Sequence, residues 1–156
     1  MKINLITVGK RPPEWIQQGY TEYAKRLSHH CTMNLVEIPA AKRAQGADIA
    51  QLRQREGEQM LQAIPQGNWV VTLTEHGQLW DTMQLARQLQ TWRDKGYGLS
   101  LLIGGPDGLS AECVARAQQQ WSLSLLTFPH LLVRILVVEQ LYRAFSILHQ
   151  HPYHRA

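Results

Sequence analysis

Cysteine is scarce. Two residues in 156, Cys31 and Cys113, stand far apart and outside any C-x-x-C spacing. That excludes a disulfide framework and a cysteine metal site, and leaves two buried or half-buried thiols. A secretory leader is missing too: in "MKINLITVGKRPPEW" a short alternating apolar run stops at Gly9, with no long apolar region and no small-residue cleavage site. The expectation is a cytoplasmic protein that opens with a strand. Linkers, repeats and low-complexity stretches are absent, so residues 1–156 read as one domain, and 44% hydrophobic residues suffice for a core. Phosphate-binding motifs fail as well. After Gly108 come Leu109 and Ser110 where a P-loop needs Lys-Ser or Lys-Thr, and the first strand ends with one glycine where a dinucleotide fingerprint needs three. His149, His151 and His154 have no carboxylate or cysteine at a ligand spacing, so no metal is expected. The net charge of +4 leans toward a polyanionic partner.

What is present is an alternation. "INLITVG", "MNLVEIP", "WVVTLT", "LSLLIGG" and "SLSLLTF" are short apolar runs bounded by Gly, Pro or polar residues, as strands buried on both faces are. Helical patterns separate them. Ile16, Tyr20, Tyr23 and Leu27 share a face behind Pro12 and Pro13; Leu85, Leu89 and Trp92 share another, with Asp81 as N-cap and Gly96 past the end. The expected class is α/β, a mainly parallel sheet flanked by helices.

Ligands of such sheets collect beyond the carboxyl ends of the strands. There "LLIGGPDGLS" runs from strand through a glycine loop to a helix capped by Ser110, and bare backbone at Gly104 and Gly105 lets a ligand approach closely, or serves a tight turn with φ > 0. The third strand is expected to close at Leu73 and the fifth at "SLSLLTFPH". Leucines, a phenylalanine and bare backbone suit an uncharged heterocycle such as adenine and suit phosphate poorly. The last helix, 130–150, is apolar nearly all round, with Glu139, Arg143, Ser146 and Gln150 as a narrow polar stripe. It is either a central helix or the seam of a homodimer, with Leu141 on that seam, and Arg134 with the Glu139/Arg143 pair argues against a membrane span. The terminal "HPYHRA" gathers an aromatic face, a planar cation and imidazoles, groups that stack on bases and bind phosphate; a frayed tail is the other reading.

Together "LLIGGPDGLS", "WSLSLLTFPH", "LVVEQLYRA" and "HPYHR", with "TVGK" and "EIPAAKR", resemble the ribosomal RNA large-subunit methyltransferase H family over essentially the whole chain. The resemblance implies a SPOUT-type α/β knot with a C-terminal trefoil, a homodimer, and S-adenosylmethionine as methyl donor. It implies methylation at N3 of a pseudouridine in a stem-loop of 23S rRNA in the assembled ribosome. It implies donor contacts at Leu73, Gly104, Leu123, Ser124, Leu125, Leu126, Thr127 and Phe128, and a tail of Tyr153, His154 and Arg155 that reaches the partner protomer's donor pocket. The chain departs from the family at Leu131, where proline is common, and at Asp107, where glutamate is usual.

Within that reading His154 is the candidate base, Arg155 or Arg143 stabilises the anionic ring and Tyr153 stacks on it, while Arg143 alternatively forms only a structural ion pair with Glu139. Two other classes stand beside it. An RNA-binding module leaves the apolar crevice without a ligand, and a small-molecule nucleotide hydrolase calls for a metal-binding carboxylate cluster where Asp107 stands almost alone.

Overall fold

The computed structural model describes residues 1–155. In chain order the elements are β1 (Lys2–Val8), α1 (Glu14–Leu27), β2 (Thr32–Ile38), α2 (Ile49–Gln62), β3 (Trp69–Leu79), α3 (Thr82–Asp94), β4 (Leu99–Ile103), α4 (Ala111–Arg116), β5 (Gln119–Ser122) and α5 (His130–Leu148). The five strands form one sheet, ordered β2-β1-β4-β3-β5, and every pairing is parallel.

Strand alternation divides the core into two layers. Ile3, Leu5, Leu99, Leu101 and Val71 face α1, α3 and α5, while Ile6, Val8, Leu102 and Val70 face α2 and α4. The caps lie where the sequence places them. Asp81 and Gln84 form a reciprocal capping box on α3, Gly96 follows it at φ 72°, and Ser110 accepts from the Cys113 amide at the start of α4. Helix α5 is apolar all round because it lies between α1 and α3 with the sheet beneath. Gly19 lets α1 come close to it, since a Cβ there would sit 2.7 Å from Ile135 Cδ1. Leu141 and Ser146 are fully buried within the single chain. Leu141 therefore belongs to the core and not to an outer seam, and Ser146 leaves the polar stripe by donating its hydroxyl to the Tyr142 carbonyl. Pro129, with φ −57°, precedes the first turn of α5, and its carbonyl accepts from the amides of Leu132 and Val133. The helix start is thus fixed without a proline at Leu131.

Two strand ends differ from expectation. The strand β3 does not close at Leu73: Leu73 and Gln78 both pair with Trp121, so Thr74–Gly77 bulge out of the ladder and pairing resumes to Leu79. Gly77 permits this, because a Cβ there would lie 2.5 Å from the Trp121 carbonyl carbon. The strand β5 is Gln119–Ser122, and Leu123–Phe128 form a loop after it. Hydroxyls hold that loop: Ser122 donates to the Ser124 carbonyl, and the Ser124 hydroxyl accepts from the Leu126 amide. Local bonds of this kind compete with the ladder that the apolar run would otherwise join. Gln119 anchors the strand before it turns, accepting from the indoles of both Trp69 and Trp92.

Candidate active site

At the carboxyl ends of β3, β4 and β5 lies a cleft of about 820 Å³. Its walls are the β3 bulge, the 104–109 loop, the 123–128 loop and the start of α5. Leu73, Gly104, Leu123, Ser124, Leu126, Thr127 and Phe128 all line it. Leu125 does not; it points outward and is 89% exposed.

The glycine loop closes on itself. Gly105 to Gly108 make a turn in which the Gly108 amide donates to the Gly105 carbonyl at 3.0 Å, with Pro106 in the second position. Only Gly108 has positive φ, 79°. Gly104 and Gly105 are needed for a different reason, since a Cβ on Gly104 would stand 2.5 Å from the Gly108 carbonyl carbon and one on Gly105 would stand 2.8 Å from Val8 Cγ1. The space the side chains would take is filled by the protein's own loop and by β1, so the glycines shape the cleft wall.

The lining mixes apolar side chains and the glycine-loop backbone with the charged or titratable side chains of Arg53, Glu75, His76, Asp107 and His130, and no lysine enters it. A group of that volume, largely uncharged and able to bond to backbone, fits such a wall. The ring of His130 borders it at the first residue of α5. Burial pushes the His130 pKa below its ordinary 6.5, and Arg134 and Arg43 push it further than Glu56 restores it. His30, stacked on His149 with ring centroids 4.9 Å apart, is also lowered, first by burial and then by His149, His29 and His151. Both histidines bind a proton more readily in the unfolded chain. Their contribution to stability is complete above the ordinary value of 6.5 and lost as pH falls through it toward the folded values. The thermal midpoint is therefore expected to fall between about pH 7 and about pH 5. In calorimetric scans the slope should be shallower for a His30→Asn/His130→Asn double variant, and an unchanged slope would remove both residues from the account.

Three of the four residues read from the tail and α5, Arg143, Tyr153 and His154, form a separate cluster around Glu139. Glu139 accepts from Arg143 at 2.9 and 2.6 Å and from the Tyr153 hydroxyl at 3.0 Å. The Arg143 guanidinium lies over the Tyr153 ring, 4.7 Å from its centroid, and its NH1 is 3.3 Å from His154 Nδ1. Arg155 is exposed. Within one chain Tyr153, His154, Arg155 and Arg143 do not border the cleft. Burial and the bond to Glu139 raise the Tyr153 pKa to about 12, so the phenol stays protonated and donates. A guanidinium can only donate, so in this contact His154 Nδ1 is the acceptor.

Sequence reasoning missed the β3 bulge, which turns Thr74, Glu75 and His76 into the cleft, and it missed His130, Trp121 and Leu109. Glycine at 77, shortly past the apparent end of the third strand, is the one signal that fits a bulge. Among the described residues no group of three or more His, Cys, Asp or Glu side chains is placed to hold a metal ion, and no helix is long and apolar enough to cross a membrane. Cys31 and Cys113 are buried and unbonded to each other. Burial lifts the Cys31 thiol to about 11 and raises Cys113 as well, so neither is a nucleophile near neutral pH.

A parallel α/β sandwich with a glycine-walled cleft at its carboxyl edge is an architecture that binds ligands beyond the ends of its strands. Residues 1–154 match the family described as predicted SPOUT methyltransferase, and the chain belongs to that family. Solved structures share the fold. A probable methyltransferase from Bordetella pertussis Tohama I superposes with a TM-score of 0.57 at 12% identity, covering 91% of this chain and 93% of that one. A probable methylase family protein from Haemophilus influenzae Rd KW20 gives 0.53 at 13% identity over 99% of this chain and 70% of that one. TrmJ from Z. mobilis ZM4 gives 0.51 at 20% identity over 90% and 69%.

Proposed function

We propose that this methyltransferase moves the methyl group of S-adenosylmethionine to N3 of a pseudouridine in a stem-loop of 23S rRNA in the assembled ribosome, as a cytoplasmic homodimer. The observation that carries the donor assignment is the cleft at the carboxyl edge, walled by the 104–109 backbone and by Leu73, Leu123, Leu126 and Phe128, with Arg53 as its one arginine and no lysine. When bound, the donor's sulfonium supplies an electrophilic methyl group.

The protein's own work is then placement and proton removal. The glycine loop and the 123–128 loop grip the donor, and the tail brings the acceptor base from the partner protomer. His154 takes the N3 proton as the new carbon–nitrogen bond forms and the carbon–sulfur bond breaks. To accept it, His154 exchanges its present contact with Arg143, which frees a ring nitrogen and leaves a guanidinium to stabilise the anionic ring. Tyr153 stacks on the base, and Arg155 holds phosphate. The family's trefoil knot is part of the same reading.

The homodimer draws support from α5. Leu132 and Leu136, one turn apart, are only partly buried and belong to neither apolar cluster of the chain. A partner's matching helix would cover them. The test is a methyl-transfer assay with tritiated donor and ribosomes from a strain lacking the protein, with the modified nucleotide mapped by mass. Label at N3 of one 23S pseudouridine is expected, and label elsewhere or none overturns the assignment. In sedimentation the native protein should be a dimer, and Leu136→Glu should give a folded monomer that binds donor and transfers no methyl. A native monomer at micromolar concentration would defeat the composite site.

A further inference from the structure

A buried ionic clasp lies behind the glycine loop, and of its three residues Arg43, Glu56 and Asp107 one, Asp107, borders the cleft. Glu56, on the inner face of α2, is 3% exposed. Its two oxygens accept from three donors: the Ala41 amide at 2.9 Å, and Arg43 NH1 and NH2 at 2.5 and 3.0 Å. Arg43 then uses its remaining nitrogen, Nε, on Asp107 Oδ2 at 2.9 Å, and its NH1 also bonds to the Ala41 carbonyl. One guanidinium therefore joins α2, the coil after β2 and the tip of the 104–109 loop. Arg53, from the next turn of α2, donates to the Asp107 carbonyl at 3.4 Å. Gly105 completes the contact, for a Cβ there would meet Val8 and come within 3.6 Å of Glu56 Oε1.

Arg43 borders no part of the cleft, whereas Asp107 and every other residue of the loop do. The bonds from Glu56, with those from Asp107, hold the guanidinium pKa above its ordinary value, so the clasp is charged at any physiological pH. The arrangement spends a buried carboxylate and a shared arginine on a turn that its own hydrogen bond already closes. Its effect is to fix where the turn stands relative to β1 and α2. The same pairing neutralises Asp107, which is the acid of the loop tip, so the mouth of the cleft carries no free negative charge there.

We propose that Arg43 is a positioning residue for the donor loop: acting through Asp107 and Glu56, it holds the 104–109 backbone in the register that grips the methyl donor. This inference rests on the donor reading of the cleft. The planar fork is what the role requires, because one side chain must reach two carboxylates at once.

Three single variants, one double variant and three measurements test it. Asp107→Asn leaves the Arg43–Glu56 pair intact and should keep the thermal midpoint close to native. Its affinity for S-adenosylhomocysteine should nonetheless fall by about tenfold in calorimetry well below melting. Arg43→Gln should weaken affinity by a similar factor, and the double variant should lose little more than either alone, since both changes cut one linkage. Arg43→Lys should restore the thermal midpoint more fully than the affinity. In the ligand-free protein, amide hydrogen exchange across 104–109 should speed up in all three. Native affinity and native loop exchange in a folded Asp107→Asn protein would overturn the proposal, as would strictly additive losses in the double variant. Failure of the native protein to bind S-adenosylhomocysteine would overturn the donor reading instead, and the exchange measurement would still decide whether the clasp sets the loop.

Discussion

A Gly104→Val protein folds, and its affinity for S-adenosylhomocysteine falls by roughly two orders of magnitude, a loss of about 2.7 kcal/mol. The physical reason is local. An ideal Cβ on Gly104 stands 2.5 Å from the Gly108 carbonyl carbon and 2.8 Å from both the Gly108 oxygen and the Leu109 nitrogen. All three are backbone atoms, and none can swing aside as a side-chain end does. The turn must open, and with it the wall of the cleft moves. Gly104 lies one residue past β4, so the parallel ladder from Leu99 to Ile103 stays intact and the thermal midpoint should drop by only a few degrees. Gly104→Ala carries the same Cβ and should lose affinity nearly as severely. Gly108→Ala is the control, because nothing lies within 4 Å of its Cβ and only the φ of 79° opposes the change. Titration calorimetry on folded protein checks the set, and a folded Gly104→Val with native affinity would show that the loop is not part of the donor site.

Removing residues 151–156 should lower methyl transfer by at least about 100-fold while donor affinity stays within about twofold of native. The tail ties to the chain through a few polar contacts: Tyr153 to Glu139, His154 to Arg143, and the His151 amide to the Ser146 carbonyl. None of them reaches the cleft of the same chain, and in the partner's pocket the tail's proposed work is on the acceptor base, so donor affinity is expected to hold. Point variants divide the loss. Tyr153→Phe removes only the hydroxyl bond to Glu139 and should act weakly, whereas His154→Ala should lower the maximal rate and Arg155→Ala should mainly raise the half-saturating ribosome concentration. Transfer at the native rate by the truncated protein would return the tail to the status of a frayed end.

The sequence carried the layer order and most of the cleft. Apolar runs of five to seven residues between amphipathic stretches have one economical arrangement, and the caps at Asp81 and Ser110 follow from side chains alone. Of the residues expected in the site, Leu73 on β3 and six from the glycine loop and the 123–128 run line the cleft. Two features resisted. The apolar run Ser122–Phe128 has the pattern of a strand, yet serine hydroxyls hold it as a loop, and periodicity cannot weigh a local hydrogen bond against a ladder bond. The clasp of Arg43, Glu56 and Asp107 spans more than sixty positions, so no local spacing announces it. Arg143 shows the limit from the other side: its spacing to Glu139 predicts the ion pair, and only the folded tail reveals that the same guanidinium also meets Tyr153 and His154.

The strand order has a consequence for how the chain is made. Strand β4 sits between β1 and β3 and is the only link between the first two strands and the last two. A nascent chain that has not yet emerged past residue 103 can pair β1 with β2, but the inner edge of β1 is left open, with Ile3, Leu5 and Ile6 beside it. Completion waits on a partner about a hundred residues downstream, which makes acquisition of structure slow and long-range in character. During synthesis at about 5–20 residues per second, that edge is exposed for several seconds and is open to another chain's strand. Growth at high temperature or on strong promoters should therefore divert this protein into inclusion bodies before its finished form ever becomes unstable.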